Sequence, residues 1–191
     1  MTFMQTDYFH KYNTELQKGH SEEWAKIYAE SIEDHSHAFN DSYLFIKKGD
    51  PAKALKELKI HCKAMGGDEF YTKHFITLME KGEALSDPDK QAALYSRIYK
   101  EEVEKGKSEL FADTYSDLVA CEEYTEVYCF AKATEYEKTI GAGQSKEYAD
   151  AYASRIANYI ANQYSNYKEA TDHILYSMEK QKIEEQLIHL K

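Results

Sequence analysis

The chain has 191 residues, enough for one ordinary domain or two small ones with a real hydrophobic core. Hydrophobic residues make up 42% and charged residues 30%, which is not a disordered composition, and 2 Pro with 8 Gly are too few for a turn-rich all-β fold. A formal net charge of -10 argues against a protein whose main work is gripping phosphate backbones.

Apolar residues recur at spacings of three and four rather than two, which predicts helices throughout. They are expected near 3–18, 22–47, 51–65, 69–82, 88–105, 109–140, 146–164 and 167–190. The fold class expected is all-α: about eight helices in antiparallel hairpins, as a compact bundle or a short α-solenoid. It reads as a single helical domain over 1–191, with a subdivision near 83–87. Met1-Thr2-Phe3-Met4-Gln5-Thr6-Asp7 opens the chain without a basic n-region or an apolar run, so no secretory or transit peptide is expected. No stretch approaches the ~20 apolar residues of a membrane span.

The first joint, at Gly19 and Ser21, sets a pattern. Gly can close a helix in the left-handed conformation, and Ser two residues later can cap the next one. Ala25 and Tyr28 follow. The same spacing recurs at Gly106-Ser108-Ala112-Tyr115 and at Gly143-Ser145-Ala149-Tyr152. Trp24, Phe111 and Tyr148 each stand three residues after the Ser, so each aromatic should leave its joint in a similar direction. Glu22, Glu23, Glu109 and Glu147 fall in first turns, where the helix dipole favours anions. The copies start 87 and 37 residues apart, so they form no strict array.

The second segment is long enough to need a break, most simply between His35 and Ser42, where Ser, Asn and Asp side chains compete for backbone bonds. Glu30, Glu33 and His37 share a face if that segment is one helix, and they are the candidate metal or ligand residues. A di-iron bundle would need Glu-x-x-His pairs, which are absent. Glu169/His173 and Glu185/His189 are spaced i,i+4 instead, which suits salt bridges. No cofactor is expected.

Gly49-Asp50-Pro51 and Ser86-Asp87-Pro88 place Pro at a first helical position, and Gly67-Asp68 is a further stop and cap. The segment Phe45-Ile46-Lys47-Lys48-Gly49-Asp50-Pro51-Ala52-Lys53-Ala54-Leu55-Lys56-Glu57-Leu58 resembles the middle of a tetratricopeptide repeat. A Gly-Asp turn is followed by a small Ala and, one turn later, a large apolar residue. Asn166 to Ile174 has the same shape. The resemblance implies stacked helical hairpins and a groove that holds other proteins. The chain departs from it at Asp41, where a large apolar residue belongs, at His61, where a small one does, and in lacking a 34-residue period.

Residues 101–126 hold nine acids and only Lys105 and Lys107, so most of the negative charge lies there. Glu109, Asp113 and Asp117 are spaced i,i+4, and like charges so placed repel by a few tenths of a kcal/mol per pair. They are candidate partner-binding residues for a basic partner. A cation, a Lys-bearing neighbouring helix or simple solvation would also account for them. Basic clusters interleaved with aromatics are not evident, so neither nucleic acid nor membrane is an expected partner.

Cys62, Cys121 and Cys129 form no CxxC, which reads as reduced thiols in a cytoplasmic protein. Ala149, Ala153, Ala157 and Ala161 recur every four residues beside Tyr148, Tyr152, Ile156 and Ile160, a row that lets a neighbouring helix come close. The 17 tyrosines either line helix seams, ring inward and hydroxyl at the rim, or form a partner surface. No nucleophile elbow, P-loop or dinucleotide motif occurs. The chain therefore reads as a non-catalytic interaction module binding another protein or itself. The alternative is a helical enzyme or carrier holding a metal or small ligand between helices.

Overall fold

The structure is a computed structural model that describes residues 3–31, 35–82, 87–163, 180, 183 and 184. Among the described residues it is all-helical. The elements are α1 (Phe3–Lys18), α2 (Glu22–Glu30), α3 (His35–Gly49), α4 (Pro51–Ala64), α5 (Glu69–Lys81), α6 (Pro88–Glu104), α7 (Glu109–Ala120), α8 (Glu126–Gly141) and α9 (Lys146–Gln163). None of them is long and apolar enough to cross a membrane. The segment expected as a last helix, 167–190, lies outside the described residues apart from Lys180, Ile183 and Glu184. Glu169, His173, Glu185, His189 and the second tetratricopeptide-like stretch lie outside them too.

Both long segments are divided. The first divides earlier than expected: α2 stops at Glu30 and α3 runs unbroken from His35 through Asn40, Asp41 and Ser42. The polar side chains are satisfied without breaking the helix. Ser42 donates its hydroxyl to the carbonyl of Ala38 at 2.9 Å, and Asp41 accepts from the Ser31 hydroxyl across the break at 3.2 Å. The second divides where Thr125 caps α8 by accepting from the Tyr128 amide.

Four joints share one geometry. At Gly19, Gly66, Gly106 and Gly143 the backbone turns left-handed, with φ of 96°, 73°, 82° and 82°. The next amide then bonds five residues back, to Glu15, Cys62, Glu102 and Thr139 respectively, which satisfies carbonyls that a helix end would leave open. Ser21, Asp68, Ser108 and Ser145 next accept from the amides of Trp24, Tyr71, Phe111 and Tyr148. The Gly66 joint is a copy that the Gly-x-Ser spacing alone overlooks, because Asp replaces Ser as the cap.

The chain forms two compact units, Met1–Ala93 and Leu94–Lys191. In the first, α1, α2, α3, α4 and α5 pack on one another in sequence, and α1 also meets α4. Its core gathers Trp24, Tyr43, Leu58, Cys62 and Phe75. In the second, α8 lies between α7 and α9 around Phe111, Tyr128, Tyr152, Ile156 and Ile160. Ala149, Ala153 and Ala157 are fully buried on α9, and Cys129 and Ala133 on α8. Small side chains on both helices fit with α8 and α9 making the most extensive pairing among the described helices. Replacing Ala157 with Leu overpacks this seam and is expected to cost about 1–3 kcal/mol. Denaturant unfolding measures it, and an unchanged midpoint would place the row outside the packing.

Candidate functional site

The expected ligand face does not form as drawn. Glu30 is the exposed last residue of α2 and faces Lys26 at 4.0 Å, while His37 is exposed on a different helix, α3. Glu33 lies outside the described residues. Among the described residues no group of three or more His, Cys, Asp or Glu is placed to hold a metal ion.

The acidic stripe is real on α7 but unequal. Glu109 and Asp117 are exposed. Asp113 is half-buried and accepts the phenol of Tyr95.

Three more bonds of its kind stand among the described residues. Tyr43 donates to Glu80 at 3.0 Å, Tyr152 to Glu184 at 2.8 Å, and Tyr71 to Asp89. In each the ring is buried and the hydroxyl reaches a carboxylate at the seam. Burial and the adjacent carboxylate hold the phenols of Tyr71, Tyr95 and Tyr152 far above their ordinary value, so they stay protonated and donating.

The first unit also buries histidines against carboxylates. At the Gly19 joint, Glu15, His20 and Glu57 are all nearly inaccessible. His20 Nδ1 lies 2.6 Å from Glu57 Oε2, and its other nitrogen lies 3.6 Å from Glu15. The ring stacks on Trp24 at 4.6 Å, and the Trp24 indole N–H donates to Glu15 at 3.1 Å. Lys18, at the rim, pairs with Glu15 at 2.6 Å. Glu57 also accepts the Ser21 amide at 3.2 Å, so a residue from α4 completes the cap of α2. Burial pushes the Glu57 carboxyl up, but the bonds from His20 and Ser21 outweigh it and leave the group below its ordinary value. His61 Nε2 lies 2.7 Å from Asp89, which takes the Tyr71 phenol as well. There too, burial is more than offset and Asp89 sits low.

A triad needs an activated nucleophile beside the base, and Cys62, next to His61 in the chain, is buried with its thiol pushed up to about 11 by burial. Cys129 is raised to about 11 for the same reason.

The open surface is elsewhere. Leu44 and Phe45 are adjacent on α3 and 59% and 58% exposed. Phe45 borders an open groove of about 630 Å³ whose other walls include Ile46, Lys48, Asp50, Lys53 and Glu23. Lys48 and Lys53 on its walls are matched by Glu23 and Asp50, and from there α4 carries a lysine run that the total charge conceals. Residues 47–63 hold six Lys against Asp50, which caps α4, and the buried Glu57. Hydropathy spacing gives no sign that Phe45 faces outward, since its neighbour Ile46 is buried.

No protein-family model matches the chain, and no curated protein or solved structure matches it either.

Two measurements check the buried network. A carboxyl held low in the folded state contributes stability at neutral pH, and that stability is lost as pH falls through its folded value. Unfolding followed by Trp24 fluorescence should therefore weaken from about pH 5 downward. Glu57→Gln should lose about 1–3 kcal/mol at pH 7 and show a shallower acid decline. Parallel pH curves would exclude Glu57 as a source of that decline. For the thiols, alkylation at pH 8 should reach the partly exposed Cys121 first and spare Cys62 and Cys129 until unfolding. Equal rates at all three would contradict their burial.

Proposed function

We propose that the chain is a non-catalytic helical interaction module that binds another protein, a second copy of itself included. The observation that carries this reading is the exposed pair Leu44 and Phe45 beside an open groove, in a chain whose buried ionisable groups are spent on internal bonds. Adjacent large apolar side chains left in water mark contact surfaces more than catalytic ones. The exposed acids Glu109 and Asp117 give a second face that a basic partner can meet. Four copies of one helix joint support a repeated helical hairpin as the scaffold. Three free cysteines support a reducing, cytoplasmic setting.

Affinity capture from the source organism tests the reading. The wild-type chain should retain a protein that Phe45→Glu loses, with the two unfolding at the same denaturant concentration. Retention should also weaken with salt and after Glu109→Lys if the acidic stripe takes part. A small molecule or metal found by native mass spectrometry in the purified chain, with no protein captured, would overturn it.

A further inference from the structure

We propose that the second unit binds a free amino acid with a flat apolar side chain, in a pocket that α8 and α9 form with Lys180 and Glu184. The pocket shares no residue with the surface around Phe45, so it stands or falls apart from the interaction-module reading. Its volume is about 370 Å³, the size of a small-ligand site. The charged lining is Lys138 and Lys180 against Glu135 and Glu184, and so sums to zero. The rest, at the Gly143 joint and on α9, is uncharged.

Within the pocket those charges are unevenly matched. Glu135 is buried and takes both lysines: Lys138 lies 2.9 Å from one carboxylate oxygen and Lys180 3.0 Å from the other. An ammonium carries three N–H donors, and neither lysine's makes another hydrogen bond or ion pair among the described residues. Two ammoniums on one carboxylate leave a positive charge over, with N–H groups open to an anion. Glu184 is met by a neutral donor, the Tyr152 phenol at 2.8 Å, so a negative charge is left over as well. The rings of Tyr148 and Tyr152, near-parallel with centroids 6.1 Å apart, supply the apolar wall. A simple anion suits the lysines but is repelled by Glu184, and a simple cation has the reverse difficulty. An occupant that satisfies every part carries a carboxylate for the lysines, an ammonium for Glu184 and a flat apolar group for the tyrosines. That is the chemistry of a free aromatic amino acid.

L-phenylalanine titrated to ~10 mM into the isotope-labelled full chain tests this by NMR across the range of weak affinities. Saturable shifts are expected at the amides of Tyr148 and Tyr152 and around Gly143. Phenylalaninamide, which lacks the carboxylate, and 3-phenylpropionate, which lacks the ammonium, should each bind at least ~10-fold more weakly. Glu184→Gln should erase the preference for phenylalanine over 3-phenylpropionate. Lys138→Met should narrow the preference over phenylalaninamide, while Lys180 keeps Glu135 paired. The analogues make the same comparisons on the unaltered chain, so a variant that fails to fold leaves the test intact. No shift at the highest concentration, shifts confined to residues outside the pocket, or equal binding of all three compounds overturns the proposal. Binding of 3-phenylpropionate as tight as that of phenylalanine makes this an anion site and overturns the amino acid as its occupant. None of these outcomes bears on whether Phe45→Glu abolishes protein capture, so the two readings fail separately.

Discussion

The hydrogen bond from a buried tyrosine to a carboxylate at the helix seam is the constraint around which this fold is arranged. The chain is polar, with a mean hydropathy of -0.73 and 17 tyrosines, so aliphatic side chains alone do not fill its cores. A phenol ring supplies much buried area, but its hydroxyl needs an acceptor. Glu80, Asp89, Asp113 and Glu184 supply it. Part of the acidity that looks like a solvating coat is thus structural. At Tyr71, Tyr95 and Tyr152 burial and the neighbouring negative charge act in the same direction and keep the phenol protonated.

The repeated joint decides where those tyrosines and the other aromatics point. Gly fixes the turn, the cap fixes the first amides of the next helix, and the third residue of that helix is then aimed inward. At two of the joints the residue after Gly packs against that aromatic. In the first unit it is His20, stacked on Trp24. In the second it is Lys107, whose ammonium lies 4.7 Å from the Phe111 ring and 5.0 Å from the Phe130 ring. Four residues before Gly in both stands a buried glutamate, Glu15 or Glu102, answered at i+3 by a rim lysine, Lys18 or Lys105. A buried carboxylate is tolerable only with such a partner, and the lysine stem can reach it while its head stays wet.

Local chemistry of this kind was legible in the sequence. Gly19, Gly106 and Gly143, the serine caps, Asp50 before Pro51 and the alanine row of α9 are all where spacing places them. What was not legible depends on partners distant in the chain. Glu57 reads as a surface acid on a lysine-rich helix until α1 meets α4 and sets it against His20 and Ser21. Glu30 and His37 read as one face only if their helix is continuous, but α2 ends at Glu30, and Ser31 bonds to Asp41 across the break. Phe45 reads as core because apolar residues normally are, and only the packing around Ile46 turns it outward. The stop and cap at Gly67-Asp68 was legible as such, but its kinship with the Gly-x-Ser joints was not, because a carboxylate replaces the hydroxyl there.

The same accounting separates structural charge from free charge. Glu109, Asp113 and Asp117 repel one another along α7, and the fold relieves the middle member through Tyr95. Glu15 and Glu102 each have a lysine at i+3, and Glu135 has Lys138 and Lys180. Lys59 and Lys63 repel in the same way on α4, yet no ion pair among the described residues relieves them. A fold that neutralises its buried charges so consistently leaves uncompensated charge mainly where water, or another molecule, completes the surface. The lysine face of α4 and the acidic loop around Tyr124 are two such places.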